Sequence, residues 1–187
     1  MNDPINDIVA VVPIRDFAGM TRLATVLTGD QRRRLSERLA AGVLDATIEA
    51  GLRPLVVTSS KVVWRWAVSR SIPTCDDSGD GLSAAAATGI ACGGDRPWIV
   101  LHADLPLATA SAIRSIADAS QHSAVIVPSQ DGGTSVLSGY GRFPFAYGPG
   151  SFHRHLASVP TARVMVLPAL SIDIDTPDHL EALPRLV

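Results

Sequence analysis

Short apolar runs alternate with segments of helical periodicity along this chain, and that alternation constrains the fold more than any other feature. The run DIVAVVPI at residues 7–14 is typical of a buried strand, whereas residues 29–50 carry apolar positions at helical spacing. Four further runs follow, in RPLVVTSS, IPTCDD, PWIVLHADLPL and SAVIVPSQ, with helical segments between them. Strands that alternate with helices predict an α/β fold, a mostly parallel sheet with helices on both faces.

The composition predicts that residues 1–187 form one globular domain. Hydrophobic residues make up 47% and charged residues 18%, which excludes a disordered chain, and a net charge of −2 requires no nucleic-acid partner. No apolar run is long enough to cross a bilayer, and the acidic start is unlike a secretory signal, so no membrane partner is expected. The two cysteines, Cys75 and Cys92, do not make a disulfide framework, so we expect a cytoplasmic protein.

Polar motifs follow each of the five predicted strands at its carboxyl end. In chain order they are RDFAGMTRL, SS, DDSGDG, HADLP and SQDGGT. Parallel sheets bind ligands beyond the carboxyl ends of their strands, so we expect these five loops to meet at one rim and to form the ligand site.

Two acidic positions suit a divalent cation at that rim. Asp104 follows the fourth strand, and Asp173 and Asp175 alternate with isoleucines, which predicts that these two share one face of a strand. Carboxylates from distant segments can hold one Mg²⁺ ion together with substrate phosphates. The structural alternatives are a turn role for Asp104 and a helix cap at Asp175 or Thr176. His102, two residues before Asp104, could support the metal site from behind, but it is interpreted as a half-buried strand residue.

Glycine-rich turns supply a candidate anion site. In FAYGPGSFHRHL a Gly-Pro-Gly turn that begins at Gly148 leads into Ser151 and a helical pattern. Glycine backbone beside a helix N-terminus suits a phosphate or a carboxylate, although a plain loop with Ser151 as the N-cap is the alternative. In SQDGGTSVL the hydroxyl of Thr134 can bond a ligand oxygen, and a hairpin turn at the Asp-Gly pair is compatible with that role.

Arginines and histidines complete the candidate residues. Arg15 and Arg22 follow the first strand, where each could neutralise nucleotide phosphates or simply lie in solvent. His153 and His155 are two positions apart, which on a helix places them on different faces and disfavours a shared metal ion.

Taken together, six motifs resemble one enzyme family. VVPIRDFAGMTRLA, GDGLSAAAATGI, VLHADLPLAT, PSQDGGTSVL, FAYGPGSFHRHL and SIDIDTPDHL are similar to the CofC/FbiD family, the 2-phospho-L-lactate or phosphoenolpyruvate guanylyltransferases of coenzyme F420 biosynthesis. The likeness spans residues 9–183. It implies a Rossmann-like nucleotidyltransferase fold. It also implies attack of a phosphorylated three-carbon acid (2-phospho-L-lactate, phosphoenolpyruvate or 3-phosphoglycerate) on the α-phosphorus of GTP, with release of pyrophosphate.

The resemblance also implies where each substrate would bind. Thr134 and the Gly148 N–H would hold the carboxylate of the acceptor, and Ser151 at the helix start would hold its phosphate. The nucleotide would lie against the first-strand loop and the GDGLSAA turn, at Pro13, Arg15, Gly81 and Ser83.

Catalysis and partners follow from the same resemblance. It implies that Asp104 and Asp173 bind Mg²⁺, while Met20 stands where the family usually has lysine. We predict that Arg22 acts in catalysis, because its charge can compensate for that lysine. The alternatives are another nucleotidyltransferase of the same superfamily and a catalytically weakened nucleotide-binding protein. A homodimer is left open, and the resemblance implies a hand-off of the unstable product to a lactyltransferase-type enzyme.

Overall fold

A seven-stranded sheet organises the part of the chain that the structure, a computed structural model, describes: residues 4–77, 79–174 and 176–182. Its strands are β1 Val9–Pro13, β2 Arg53–Thr58, β3 Thr74–Asp76, β4 Pro97–Leu101, β5 Val125–Pro128, β6 Thr134–Tyr140 and β7 Arg163–Val164. Their spatial order is β3-β2-β1-β4-β6-β5-β7. Strands β1 to β4 pair in parallel with one another, whereas β6 runs antiparallel to both β4 and β5.

The helices occupy the connections that the sequence pattern predicts. They are α1 Gly29–Glu49, α2 Lys61–Ser69, α3 Leu82–Gly93, α4 Ala110–Ser120, α5 Ser151–Ser158, α6 Pro168–Ser171 and α7 Pro177–Ala182, with 3₁₀ helices at Pro4–Asp7 and Thr21–Thr25. Side-chain caps fix several starts: Thr28 and Gln31 form a reciprocal capping box on α1, and Thr109 accepts the Ala112 N–H on α4.

Two apolar clusters cover the two faces of the sheet. In β1 the side chains of Ala10 and Val12 face one cluster, which takes in residues of α1, α2 and α4, while Val9 and Val11 face the other, which takes in residues of α3 and α5. Alternate residues of a strand point to opposite faces, so a strand that is covered on both sides must be apolar throughout. The predicted α/β fold with helices on both faces is therefore confirmed.

Helix α3 lies unusually close to the sheet because Gly89 has no side chain. A Cβ atom at this position would overlap Val11 Cγ1 and would lie 2.8 Å from Val57 Cγ2. The close approach matters for the site, because the N-terminal end of α3 carries the GDGLSAA turn.

Two sequence-based expectations differ from the structure, and a third lies outside the described residues. Asp173 lies in a non-regular segment between α6 and α7 rather than on a strand, and Asp175 lies outside the described residues. Cys75 and Cys92 form a disulfide, which joins β3 to the last turn of α3. The expectation that the two cysteines do not make a disulfide framework is therefore wrong. Helices long and apolar enough to cross a membrane are not found in the described part of the chain.

Replacement of Gly89 by alanine tests the close approach of α3. We expect Gly89→Ala to lower the free energy of unfolding by about 1–3 kcal/mol, because the added methyl group overpacks the contact with Val11 and Val57. Urea unfolding followed by circular dichroism measures the change. Gly42→Ala in α1 is the matched control, since nothing lies within 4 Å of its Cβ position. This control should raise stability by about 0.5–1 kcal/mol. Equal effects of the two substitutions would contradict the packing argument.

Candidate active site

The antiparallel strand β6 brings its first residue to the carboxyl edge of the parallel strands. The Asp131 carboxylate accepts hydrogen bonds from the Gly133 N–H, at 2.8 Å, and from the Ser129 hydroxyl, and these bonds form the turn of the β5–β6 hairpin. They also lower the pKa of Asp131, with the Ser129 bond as the largest cause. Thr134 starts β6, and the His102 N–H donates to the carbonyl oxygen of Ser135 at 3.2 Å. The predicted hairpin turn is confirmed, and Thr134 lies at the edge where β4 ends.

The two acidic segments meet at this edge. The backbone N–H of Ile174, which follows Asp173, donates to the carbonyl oxygen of Asp104 at 3.2 Å. Nearby, the Gln130 N–H donates to the Ser171 carbonyl oxygen at 3.0 Å, which ties the same segment to the hairpin turn. Both aspartates are half-buried. The structure thus brings Asp104 and Asp173 to neighbouring positions although they are far apart in sequence.

The donor set at this position fits a magnesium ion that arrives with its substrate. Mg²⁺ prefers oxygen ligands, and proteins usually hold it through one or two carboxylates, with substrate phosphates and water as the remaining ligands. Within the described ranges, no group of three or more His, Cys, Asp or Glu side chains could hold a metal ion without a substrate. Asp104 and Asp173 supply two carboxylates of the required type.

The GPGS turn leads into α5, but Ser151 does not cap that helix. Gly150 is the N-cap in the left-handed conformation, with φ 69°, and Gly148 has φ 121°, so both positions favour glycine. Ser151 is the first helical residue and is 1% exposed. Its Oγ donates to Thr134 Oγ1 at 3.4 Å. The N-cap alternative is therefore wrong, and the structure joins Ser151 and Thr134 in one contact.

Two consecutive residues of α5 hold the preceding turn. The Arg154 guanidinium donates to the carbonyl oxygens of Ala146, at 2.8 and 3.1 Å, and of Pro149, at 2.7 Å. His155 accepts the Ala146 N–H at Nε2, at 2.9 Å, and its Nδ1 lies 3.0 Å from Thr134 Oγ1. The turn is thus anchored to α5 through both backbone groups of Ala146, its N–H and its carbonyl oxygen.

A separate cleft of about 430 Å³ opens beyond the ends of β1, β2 and β3. Its lining includes Pro13, Arg15 and Gly81, three of the four residues expected to contact the nucleotide. The fourth, Ser83, accepts the Tyr147 N–H at Oγ, at 2.9 Å. Ser83 therefore links the cleft side of the rim to the turn that contains Gly148.

The basic and apolar residues after β1 have different environments. The Arg15 side chain is 95% exposed, and Arg22 is exposed in the 3₁₀ helix Thr21–Thr25. Met20 packs against a small apolar cluster that contains Leu23 and Ile174. Met20 therefore packs against the segment that carries Asp173, and it brings no positive charge to the rim.

Three further residues of the rim carry buried polar groups, and none of them is among the predicted metal-binding or substrate-binding residues. Asp77 lines the cleft, and its Oδ1 is buried without a hydrogen-bond partner. The Tyr147 hydroxyl and His102 Nε2 are likewise buried without such a partner, and the two rings lie 5.5 Å apart. The DDSGDG motif was the available signal for Asp77, while the other two depend on contacts between distant segments.

His155 is buried among aromatic rings. Its ring lies 5.0 Å from that of Tyr147 and 5.7 Å from that of Phe143, and the side chain is 0% exposed. Burial is the largest cause that lowers the His155 pKa to about 4, and the charges of Arg154 and His102 act in the same direction. The ring is therefore neutral near pH 7. Burial also raises the pKa of the Tyr147 hydroxyl, which keeps it protonated.

Comparison with known proteins gives one family and two kinds of named relative. Residues 8–183 match the family described as "Guanylyl transferase CofC like". A 2-phospho-L-lactate guanylyltransferase from Halomicrobium mukohataei is 31% identical over 175 residues, which cover 91% of this chain and 82% of that protein. A phosphoenolpyruvate guanylyltransferase from Chloroflexus aggregans is 32% identical over an alignment that covers 90% of this chain and 93% of that protein.

Solved structures show the same fold at low sequence identity. A putative nucleotide-diphospho-sugar transferase from Desulfovibrio desulfuricans G20 superposes with a TM-score of 0.78 at 14% identity, covering 96% of this chain and 87% of that one. A manganese complex of Rv0371c from Mycobacterium tuberculosis H37Rv superposes with a TM-score of 0.63 at 16% identity, covering 96% of this chain and 99% of that one. These likenesses support the nucleotidyltransferase type of fold.

The low pKa of His155 predicts an acid-sensitive stability. Its pKa is about 4 in the folded protein and near 6.5 in the unfolded chain, so between these two pH values the unfolded chain binds this proton and the folded protein largely does not. The free energy of unfolding should therefore fall as the pH drops from 6.5 towards 4. We expect His155→Gln to reduce the loss between about pH 7 and pH 5 by about 1–2 kcal/mol, measured by urea unfolding.

His153→Gln is the control for this measurement, because it removes an imidazole from the exposed side of the same helix. It should keep the pH dependence of the natural protein. A His155→Gln protein that loses stability as steeply as the natural protein would contradict the assignment to His155.

Proposed function

Because the chain belongs to the CofC-like guanylyl transferase family, we propose that it transfers GMP from GTP to a small phosphorylated three-carbon acid. The names of its relatives supply 2-phospho-L-lactate and phosphoenolpyruvate as acceptors, and 3-phosphoglycerate is a third acid of similar size and charge. An oxygen of the acceptor phosphate bonds to the α-phosphorus of GTP. The bond from that phosphorus to the β-phosphate oxygen breaks, and pyrophosphate leaves. We place the reaction in coenzyme F420 biosynthesis.

The observation that carries this proposal is the meeting of Thr134, Ser151 and the Gly148 turn at the edge where Asp104 and Asp173 lie. The acceptor carries a carboxylate and a phosphate, so it needs hydrogen-bond donors at close range. The Thr134 hydroxyl and the Gly148 N–H would hold the carboxylate. Ser151 and the N-terminal end of α5 would hold the phosphate, which suits the unpaired N–H groups and positive dipole of a helix start.

The nucleotide would lie in the cleft at the ends of β1, β2 and β3, against Pro13, Arg15 and Gly81. Ser83 would act at the boundary between the two substrates, since its Oγ already accepts the Tyr147 N–H. A buried Asp77 oxygen in the same cleft supports guanine as the base. Guanine presents two adjacent N–H donors, and an ionised carboxylate only accepts hydrogen bonds.

Charge neutralisation and alignment account for the chemistry. Asp104 and Asp173 would hold Mg²⁺, which when bound supplies positive charge to the phosphates. Arg22 and Arg15 would neutralise further charge on the triphosphate. The acceptor oxygen is already ionised near pH 7, so the reaction requires no general base and no protein nucleophile. The protein instead holds three atoms in line: the attacking oxygen of the acceptor, the α-phosphorus of GTP and the oxygen that leaves with pyrophosphate.

The cellular context completes the proposal. We place the enzyme in the cytoplasm, where nucleoside triphosphates are made, and expect its product to pass to a lactyltransferase-type enzyme. A homodimer stays a prediction from the sequence. The second candidate function is a nucleotide-binding protein of weakened activity, which is favoured by Met20 in an apolar cluster where the family usually has lysine.

A pyrophosphate-release assay tests the function. The natural protein is incubated with GTP, Mg²⁺ and each of the three acids in turn, and the product is identified by mass spectrometry. We expect release that depends on one of the acids. Asp104→Asn should lower kcat by about 100-fold or more, because it removes a charge needed in the transition state. A protein that binds GTP but releases no pyrophosphate with any acid would support the second candidate instead.

Asp118→Asn is the matched control, since it makes the same change at an exposed position of α4. It should leave kcat within about twofold of the natural value. Circular dichroism confirms that both variants are folded. Full activity of Asp104→Asn would remove Asp104 from the proposed metal site.

Substitution of Asp77 tests the choice of base. We expect Asp77→Asn to raise the KM for GTP about tenfold and to reduce the preference for GTP over ATP, because an amide cannot accept two N–H donors as a carboxylate does. Steady-state kinetics with both nucleotides measure the preference. Asp76→Asn, at the exposed neighbouring position, is the control and should change neither value. An unchanged preference in Asp77→Asn would show that other groups select guanine.

A further inference from the structure

The contact between Thr134 and His155 is the most enclosed polar contact of the candidate acceptor site. Thr134 is 1% exposed and His155 is 0% exposed, and Thr134 Oγ1 lies 3.0 Å from His155 Nδ1. Bulk water therefore does not compete for this hydrogen bond. Its direction must be set by the protein itself.

The backbone of Ala146 sets that direction. The Ala146 N–H points at His155 Nε2 at 2.9 Å, and an amide N–H can only donate. Nε2 must therefore carry a lone pair, and in a neutral imidazole the single ring proton then resides on Nδ1. The lowered pKa agrees with a neutral ring at this buried position. It follows that His155 Nδ1–H donates to Thr134 Oγ1.

A Thr134 oxygen that accepts from His155 leaves its own hydroxyl proton to be donated elsewhere. The contact with Ser151 does not use that proton, because Ser151 Oγ donates to Thr134 Oγ1 at 3.4 Å. We propose that His155 is a positioning residue that holds the Thr134 hydroxyl as a hydrogen-bond donor towards the anionic acceptor. This inference rests on the proposed function, which places the acceptor at Thr134, Gly148 and Ser151.

The location of His155 on α5 gives this arrangement its rigidity. Arg154, the preceding residue, holds the carbonyl oxygens of Ala146 and Pro149, so the N–H that fixes the imidazole belongs to an anchored turn. The rings of Tyr147 and Phe143 pack against His155 and restrict its rotation. The directions of the two hydrogen bonds, from Ala146 to His155 and from His155 to Thr134, are therefore set before the acceptor arrives.

Two substitutions separate the two nitrogen atoms of the ring. His155→Asn places an amide N–H near the position of Nδ1 and keeps a donor for Thr134. His155→Gln places a carbonyl oxygen near the position of Nε2 and keeps an acceptor for Ala146, but it offers Thr134 no oriented donor. We expect His155→Gln to raise the acceptor KM about tenfold with the GTP KM within about twofold, and His155→Asn to recover most of that loss.

A purely structural role for His155 predicts a different pattern. In that case the two variants would lose acceptor affinity in proportion to their loss of stability in urea unfolding, and the GTP KM would move with the acceptor KM. That result would overturn the proposal.

A double substitution tests whether His155 acts through Thr134. We expect His155→Gln to raise the acceptor KM by less than about twofold in a Thr134→Val background, because the hydroxyl that it would orient is gone. In a Thr134→Ser background, which keeps a hydroxyl, His155→Gln should again raise the acceptor KM about tenfold. A full tenfold effect in the Thr134→Val background would overturn the proposal.

Measurements without turnover separate this inference from the proposed function. Nitrogen-15 NMR of the histidine rings should show the Nδ1–H form of His155, and an Nε2–H form would contradict the proposal whatever the enzyme does. Calorimetry with phosphoenolpyruvate alone should show binding weakened about tenfold in His155→Gln and largely restored in His155→Asn. If the three proteins bind the acid with these relative affinities but the natural protein never releases pyrophosphate, the proposed function fails and the role of His155 stands. If all three proteins bind the acid equally, the role of His155 fails.

Discussion

The antiparallel pairing of β6 with β4 is the constraint on which the candidate site depends. A further parallel strand would begin at the opposite edge of the sheet, whereas the β5–β6 hairpin reverses the chain at the carboxyl edge. Thr134 therefore starts its strand beside the end of β4, and His102 and Asp104 follow that end by one and by three residues. One reversal of direction places a hydroxyl group and a carboxylate segment on the same rim.

Two hydrogen bonds, each donated by a backbone N–H, connect segments of the rim. Ser83 at the start of α3 accepts the Tyr147 N–H, and Ile174 donates to Asp104. Backbone groups are fixed by the fold, so these bonds set the spacing between the segments without long, mobile side chains. Helix α3 can take part because Gly89 lets it approach the sheet closely.

The sequence predicted the parts of this structure that local patterns determine. The five alternating strands with helices between them and the hairpin turn follow from periodicity and turn chemistry, and they are confirmed, whereas β6 and β7 were not predicted. Asp173 was placed on a strand because isoleucines flank it. Ile174, however, is buried in a small apolar cluster with Met20 and Leu23, and its segment pairs with no strand in the described residues. His155 was not assigned a role because its partner, Thr134, lies 21 residues away in sequence and is brought near only by the fold.

The disulfide between Cys75 and Cys92 closes a covalent ring around the turn that lines the cleft at the ends of β1, β2 and β3. Exposed loop tips are the usual sites of proteolytic nicking, and this turn contains exposed Gly79 and Gly81. A cut there would leave both fragments attached through the bridge. On a gel run without thiols the nicked chain would migrate as a single species, and added thiol would release two.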